Sequence, residues 1–338
     1  MRAKSIAAVG LVMTMLTATT MAASAAFGPP DYTPVNRPGP PLSVPVSLLS
    51  QALVCTGDLR HAARPPILLV PGTGSNPKDN FSWNWERALL AQAWPFCTIE
   101  LPGSALADIQ VAGEYVTYAI RTMHAQAHRR VDILGHSQGG MVPRWALRFW
   151  PDTRGMVDDL VGLAPSNHGS AAGDFACTPS CSPAYWQQRS EANFIAALNS
   201  RQETFTGISY TVIYTHSDWV VTPNLDSTGS SSLHGGGGAI TNVAIQDVCP
   251  LDLTEHLGMA YDGPAYAIAI DALTHPGPAN PSRLPASVCL FPLMPGVNPV
   301  TFPVDSSTAA AHLALATATY PRVSAEPPLA CYVTATCP

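Results

Sequence analysis

Short apolar runs alternate with amphipathic segments along most of the chain. Apolar runs at residues 66–70, 97–101 and 131–134 are typical of buried strands, and apolar positions recur at helical spacing over residues 108–127 and 138–150. This alternation indicates βαβ units. Further strands are predicted at residues 160–164, 210–214 and 239–245. We therefore predict an α/β fold: a single domain with a mainly parallel central sheet and helices on both faces.

The same pattern predicts the remaining helices and one long loop. Helices are expected at residues 46–53, 257–273 and 308–318. Pro143 lies inside the segment 138–150, so we expect a bend there or a later helix start, because proline lacks the N–H of a helical residue. Residues 226–238 are rich in serine and glycine and predict a mobile surface loop.

The N-terminus has the pattern of a targeting segment. Arg2 and Lys4 precede an apolar stretch at residues 6–21 and the small-residue sequence Ala23-Ser24-Ala25, which is the order of a secretory signal peptide. An uncleaved membrane anchor is the alternative, which the threonines of the stretch disfavour. We predict a signal peptide at 1–25, secretion, and a mature domain at 26–338, with 276–338 a Pro-rich wrapping segment.

Composition excludes one large class of function. The chain has 17 Lys and Arg against 23 Asp and Glu, and charged residues make up 12% of it, about half the usual ~25%. Because nucleic-acid binding needs a basic face, we expect no nucleic-acid partner. The mildly acidic net charge of -6 also argues against tight docking on anionic lipid, so any membrane contact would be transient and hydrophobic.

Cysteine content indicates disulfide bonds in an exported protein. Eight cysteines allow 105 pairings, and the short spacings 177/181 and 331/337 favour local pairs. A zinc site is the alternative, but no second cysteine pair stands at zinc-site spacing, so we expect no metal. The eight are Cys55, Cys97, Cys177, Cys181, Cys249, Cys289, Cys331 and Cys337.

The strongest chemical signal is Gly135-His136-Ser137-Gln138-Gly139, which stands between the strand at 131–134 and the helix that follows. A serine presented on so tight a strand-to-helix turn needs small flanking residues. The alternative is an ordinary glycine-rich turn. The placement favours Ser137 as a nucleophile.

A serine nucleophile needs a histidine base and a carboxylate that orients it, and in such folds they follow in the order Ser, Asp or Glu, His. Asp218 follows the strand at 210–214 and is the expected acid; Asp226 and Asp247 are the competitors. His256 lies in a loop between a strand and a helix and is the expected base. The other histidines late enough in the chain are His234, His275 and His312.

Two backbone N–H groups are required for the oxyanion of the tetrahedral intermediate. Gln138, directly after the nucleophile, supplies one. Thr73, in the Pro71-Gly72-Thr73-Gly74 turn after the strand at 66–70, is expected to supply the second, and its hydroxyl offers a third donor. The alternative for this segment is a turn without function.

These motifs together resemble the fungal lipase B family of α/β-hydrolases, in order and spacing over most of the mature chain. They are residues 67–74, Ser137-Gln138-Gly139-Gly140, Trp186-Gln187-Gln188, Asp218 with Pro223, Val248-Cys249 and the His256 loop. One departure is His136, which stands where the fungal enzyme has a bulky tryptophan. The alcohol-side pocket of the family therefore does not carry over.

The resemblance implies a triad of Ser137, Asp218 and His256 with Thr73 and Gln138 as oxyanion donors. It also implies pairing of Cys55 with Cys97 and of Cys249 with Cys289, with Cys331 to Cys337 closing the C-terminal segment. Cys177 and Cys181 have no counterpart in the family, so we expect them to pair with each other.

The predicted function is hydrolysis of apolar carboxylic esters by a secreted monomeric lipase or esterase. Its partner is an ester substrate, lipid or polyester, and the triad and oxyanion hole require no metal or organic cofactor. A polyester hydrolase, an acyltransferase of the same fold and a catalytically inactive binding protein are the alternatives. Since inactive relatives usually lose a triad member, the complete set of candidates disfavours the last.

Overall fold

The computed structural model describes residues 31–336. The predicted signal peptide at 1–25 and the predicted partner Cys337 lie outside these residues. Among the described residues, none of the helices combines the length and apolar character that a membrane span needs.

A seven-stranded sheet forms the centre of the domain, in the order β1-β3-β2-β4-β5-β6-β7. Every neighbouring pair is parallel except β1 with β3. The predicted α/β class, with a mainly parallel sheet in one domain, is confirmed. The strands are β1 (Leu53–Thr56), β2 (Ile67–Val70), β3 (Phe96–Ile99), β4 (Val131–His136), β5 (Val157–Leu163), β6 (Ser209–Tyr214) and β7 (Ala239–Ala244).

Helices pack on both faces of the sheet. Within residues 31–336 the α-helices are α1 (Val46–Ala52), α2 (Pro77–Phe81), α3 (Trp85–Ala91), α4 (Pro102–Ala105), α5 (Ile109–Ala127), α6 (Gln138–Phe149), α7 (Ala171–Ala176), α8 (Pro183–Gln187), α9 (Asn193–Leu198), α10 (Ile245–Val248), α11 (Gly263–Thr274) and α12 (Phe302–Thr319). Short 3₁₀ turns occupy Pro151–Met156, Gly258–Ala260, Pro281–Arg283, Ala286–Leu290 and Cys331–Val333.

Strand β2 shows why the central strands appear in the sequence as continuous apolar runs. All four of its residues are buried, because helices cover the sheet on both sides. Leu68 and Val70 belong to the core cluster that contains α5 and α6. Ile67 and Leu69 belong to the second cluster, with residues of α3 and α11. Successive side chains thus enter opposite cores.

The starts of three predicted helices are settled by the structure. Helix α6 begins at Gln138 and continues through Pro143, so the later start, one of the two expected alternatives, is excluded. The helix predicted at 308–318 begins earlier, at Phe302. The helix predicted at 257–273 begins instead at Gly263, after the separate 3₁₀ turn at Gly258–Ala260. The reason is local: the Asp262 carboxylate accepts from the Ala265 N–H and caps the helix start.

The predictions for two surface regions were also wrong in part. Leu53 begins strand β1, antiparallel to β3, and does not end the preceding helix. The 226–238 segment is partly internal, since Ser231, Ser232 and Leu233 are buried. The Asn242 side chain donates to the Leu233 carbonyl and accepts from the Leu233 N–H, which fixes this part of the loop.

Three carboxylates meet at the N-terminal ends of β4 and β5, away from Ser137. Oxygens of Asp132, Asp158 and Asp159 lie within 4.8 Å of one another, and Arg130 pairs with Asp158 at 2.9 Å. Burial, followed by repulsion from Asp159, raises the pKa of the Asp132 carboxyl well above its usual range. Burial and Asp158 raise the pKa of Asp159 to about 7. The folded protein therefore binds protons here more strongly than the unfolded chain does.

The stability of the domain should accordingly fall between pH 5 and pH 8. A raised carboxyl pKa stabilises the fold at low pH, and this contribution is lost as the pH rises through the folded-state pKa. We expect Asp132→Asn to increase the unfolding free energy at pH 8 by about 1–3 kcal/mol, since it removes a buried carboxylate with an unpaired oxygen, and to change it little at pH 5. Urea unfolding at both pH values measures this. Asp152→Asn, at an exposed acid, is the control, and an unchanged pH dependence in Asp132→Asn would contradict the interpretation.

Candidate active site

Ser137 lies on a sharp turn between β4 and α6, with a backbone φ of 54°. The turn brings backbone segments into close contact. A Cβ on Gly135 would lie 2.0 Å from the Gly139 carbonyl oxygen, and a Cβ on Gly139 would lie 2.0 Å from the carbonyl oxygen of Val70 in β2. Glycine is therefore required at both positions by direct steric contact.

A continuous hydrogen-bond chain joins Ser137, His256 and Asp218. His256 Nε2 lies 2.9 Å from Ser137 Oγ, and His256 Nδ1 lies 2.8 Å from Asp218 Oδ2. All three residues are buried. This is the geometry in which a histidine can take the serine proton while a carboxylate fixes its tautomer.

Asp218 is held by its own loop, which follows β6. Its second oxygen, Oδ1, accepts from the backbone N–H groups of Val220 at 2.9 Å and Val221 at 2.8 Å. Both carboxylate oxygens therefore have partners in a region with little access to water. The orientation of the carboxylate toward His256 is fixed by the chain itself.

The His256 loop, which follows α10, is fixed in a similar way. The Glu255 carboxylate accepts from the N–H groups of Leu257 and Gly258, and the Thr254 carbonyl accepts from the Thr215 hydroxyl at 2.7 Å. The last contact ties this loop to the end of β6. The loops of the acid and the base are therefore anchored to the same strand end.

Thr73 occupies the turn after β2 and receives two side-chain donors. Its Oγ1 accepts from Gln138 Nε2 at 3.0 Å and from Gln188 Nε2 at 2.9 Å. With these two bonds accepted, the hydroxyl hydrogen is left to donate in another direction. Gln188 in turn accepts from the Ser166 hydroxyl at 2.9 Å. Sequence reasoning gave Gln188 no role, because nothing in its local pattern indicates a contact with Thr73.

A cleft of about 550 Å³ opens above Ser137. Its walls are mostly apolar, which suits a ligand with hydrocarbon parts. One wall is helix α12, through Ala309, Ala310 and Leu313, and another is the Trp219–Val221 segment. The floor contains Thr73, Ser137 and His256. The segment around Cys181 also reaches the cleft.

The competing candidates have other contacts. Asp226 accepts from Thr228 and Asp247 accepts from the Ala244 N–H. His312 contacts Asp79 at 2.9 Å, and the His275 ring contacts Asp271 in α11, the helix that ends just before His275. The His234 N–H donates to Glu203. The structure brings none of these five residues to Ser137.

His136 contacts the base from the residue just before the nucleophile. Its Nε2 lies 3.0 Å from the His256 carbonyl oxygen, and its Nδ1 lies 3.3 Å from Asn80 Nδ2. Burial, with the charge of His256 as a further cause, lowers the pKa of His136 to about 4. Sequence reasoning gave Asn80 no role at all, since a contact across 56 residues leaves no local signal.

Three disulfides are present among the described residues. They join Cys55 to Cys97, Cys177 to Cys181 and Cys249 to Cys289. The first crosses between β1 and β3, and the last ties the segment after α10 to the C-terminal region. Cys331 is described, whereas its predicted partner Cys337 is not.

Comparisons with known proteins point in one direction. No protein-family model matches the chain. The chain is 33% identical to lipase B of Pseudozyma antarctica over 239 residues, which is 69% of each protein. Its fold is similar to the crystal structure of Aspergillus fumigatus lipase B, with a TM-score of 0.78, 30% identity, and coverage of 86% of this chain and 73% of the other.

The packing of the Ser137 turn predicts a large difference between two glycine substitutions. Gly139→Ala forces a Cβ against the Val70 carbonyl, and we expect a loss of about 3 kcal/mol or more in unfolding free energy. Gly155→Ala is the matched control, because no atom lies within 4 Å of its added Cβ, and it should stay within about 0.5 kcal/mol of the wild type. Thermal unfolding of the two purified variants compares them, and equal melting temperatures would contradict the steric account.

Proposed function

The chain belongs to the lipase B family of α/β-hydrolases, and on that premise we propose that it cleaves apolar carboxylic esters through an acyl-enzyme on Ser137. The family makes it a carboxylic-ester hydrolase. The proposal of a specific mechanism rests on one observation, the buried hydrogen-bond chain from Ser137 Oγ through His256 to Asp218, with contacts of 2.9 and 2.8 Å.

The first half of the reaction forms the acyl-enzyme. His256 Nε2 takes the Ser137 hydroxyl proton as Oγ attacks the ester carbonyl carbon, which gives a tetrahedral oxyanion. The imidazolium then returns its proton to the departing alkoxide oxygen. The C–O bond of the ester breaks, the alcohol leaves, and the acyl group remains on Ser137.

The second half repeats these steps with water. His256 takes a proton from a water molecule, which attacks the acyl-enzyme carbonyl, and the proton then returns to Ser137 Oγ as the acid product leaves. In both halves Asp218 stabilises the imidazolium. Its fixed second oxygen supports this role, because the carboxylate has no other orientation to adopt.

Thr73 and Gln138 are the proposed oxyanion donors. Thr73 lines the cleft in the turn after β2, and Gln138 is the first residue of α6, directly after Ser137. The two amides that donate to Thr73 Oγ1 leave its hydroxyl hydrogen free to act as a third donor. Donors fixed before the reaction stabilise the developing charge without reorganisation.

The cleft supports an apolar ester as the substrate, of the acylglycerol or a similar class. Its walls are mostly hydrocarbon. Trp219 lines the cleft yet is 64% exposed, and Leu251 and Leu253 are exposed in the segment that leads to His256. These side chains fit transient hydrophobic contact with a lipid surface. The three disulfides support an extracellular location.

Replacement of the nucleophile tests the reaction class directly. We expect Ser137→Ala to lower kcat by on the order of 10⁶, because no acyl-enzyme can form. Hydrolysis of p-nitrophenyl esters from acetate to palmitate by the purified mature protein measures this, and the chain-length optimum separates esterase from lipase. A wild-type protein that a serine-reactive phosphonate does not label would instead support a non-catalytic binding protein.

Replacement of the acid tests the role of Asp218. We expect Asp218→Asn to lower kcat by on the order of 10⁴, since the amide no longer selects the required His256 tautomer, while KM for the same ester changes little. Asp247→Asn is the matched control, because the Asp247 carboxylate accepts from the Ala244 N–H at the start of α10 and not from the base. Equal activity of the two variants would remove Asp218 from the mechanism.

A further inference from the structure

A buried polar chain connects the base to the oxyanion loop without passing through Ser137. The His256 carbonyl contacts His136 Nε2 at 3.0 Å. The other ring nitrogen of His136 contacts the Asn80 amide. Asn80 Oδ1 in turn accepts from the Gly72 N–H at 2.9 Å. Gly72 directly precedes Thr73, so the chain ends at the backbone of the proposed oxyanion donor.

The two ends of this hydrogen-bond chain constrain the direction of its bonds. The His256 carbonyl can only accept, so His136 Nε2 carries a hydrogen. The Gly72 N–H can only donate, so Asn80 Oδ1 accepts from it. His136 Nδ1 lies 3.3 Å from Asn80 Nδ2 and 3.4 Å from Asn80 Oδ1. A neutral ring with its hydrogen on Nε2 accepts from the amide nitrogen, whereas a doubly protonated ring would donate to the oxygen.

The surroundings favour this neutral form. His136 and Asn80 are 5% and 6% exposed, and the titratable groups that act on the ring are His256 and Asp218. Burial and the charge of His256 lower the pKa of His136 to about 4, while the hydrogen bond to the His256 carbonyl and the charge of Asp218 act in the other direction. The His136 ring is therefore neutral at and above pH 5, and the hydrogen-bond chain stays intact there.

We propose that His136 and Asn80 are a positioning pair that sets the geometry of the base and of the oxyanion loop relative to each other. This inference rests on the proposed function of Ser137 and His256. Neither side chain takes part in bond making; each acts through the backbone it fixes. Because reacting groups lose efficiency when displaced by as little as 1 Å, a link of this kind affects turnover more than substrate binding.

Direct packing also couples the His136 ring to the oxyanion loop and to His256. A Cβ on Gly72 would lie 3.3 Å from His136 Nδ1 and 3.1 Å from Ser137 Cβ, so the oxyanion loop packs directly against the His136 ring. The rings of His136 and His256 are 5.3 Å apart. A displaced His136 ring therefore shifts both loops at once.

The test compares two replacements of His136 on a soluble short-chain p-nitrophenyl ester. His136→Leu removes the donor and the acceptor, and we expect kcat to fall by on the order of 10²-fold with KM within about threefold of the wild type. His136→Gln retains an N–H donor and an oxygen acceptor and should recover most of this loss. His124→Leu is the matched control: His124 also contacts a backbone carbonyl, that of Arg129 at 2.8 Å, far from the cleft.

A double-mutant cycle tests whether the two side chains act as one unit. Asn80→Ala alone should lower kcat by a factor similar to that of His136→Leu. The double variant should be little worse than either single variant, because one break already interrupts the chain. If the two single-variant losses in kcat multiplied in the double variant, the side chains would act independently, and the proposed positioning pair would be overturned.

Ring ¹⁵N NMR of the wild-type protein tests the same hydrogen-bond chain without a substitution that could disturb folding. The His136 signals, identified by their absence in His136→Gln, should show the Nε2–H tautomer with no titration down to pH 5. An Nδ1–H tautomer, or protonation above pH 5, would overturn the inference.

The activity measurements separate this inference from the proposed function. If a folded His136→Leu variant were fully active while Ser137→Ala was inactive, the inference would be overturned and the proposed function would stand. A wild type as inactive as Ser137→Ala would instead refute the proposed function.

Discussion

The strained backbone of Ser137 is the constraint on which the rest of the site depends. A non-glycine residue at a φ of 54° carries a cost of about 1–3 kcal/mol, and it persists only because the surrounding structure leaves no other path. Gly139 packs on the Val70 carbonyl of β2 and Gly135 on the Gly139 carbonyl. The turn is therefore built from the pairing of β2 with β4, so the parallel sheet and the placement of the serine hydroxyl at the cleft depend on the same contacts.

Apart from the Ser137 turn, the site has to accommodate buried polar groups in a mostly apolar cleft. A buried polar atom without a partner destabilises the fold, so each functional group needs a second contact away from the reacting atoms. Asp218 has the Val220 and Val221 N–H groups, Thr73 has two glutamine amides, and the His256 carbonyl has His136. These contacts satisfy burial and fix orientation together, which explains why an apolar cleft can contain an ordered polar floor.

The sequence predicted what depends on local pattern and missed what depends on distant contacts. The central strands were predictable because burial on both faces demands continuous apolar runs, and the Ser137 turn because its glycines are a steric necessity. The start of α11 was missed because the Asp262 cap outweighs the apolar periodicity before it. The buried part of 226–238 was missed because Asn242 satisfies its backbone, and a serine-glycine composition cannot report such a partner. The contact of Asn80 with His136 was missed for the same reason, because its partner lies far away in the sequence.

At His136, family membership explains the fold around the residue, and local chemistry explains its contacts. The family accounts for the sheet, and the resemblance places a bulky tryptophan of the fungal enzyme where this chain has His136. An imidazole at that position cannot simply fill the same space, since its two nitrogens are buried and each needs a partner. This chain meets the requirement with the His256 carbonyl and Asn80. The position before the nucleophile is consequently fixed by two hydrogen bonds and not by apolar packing alone.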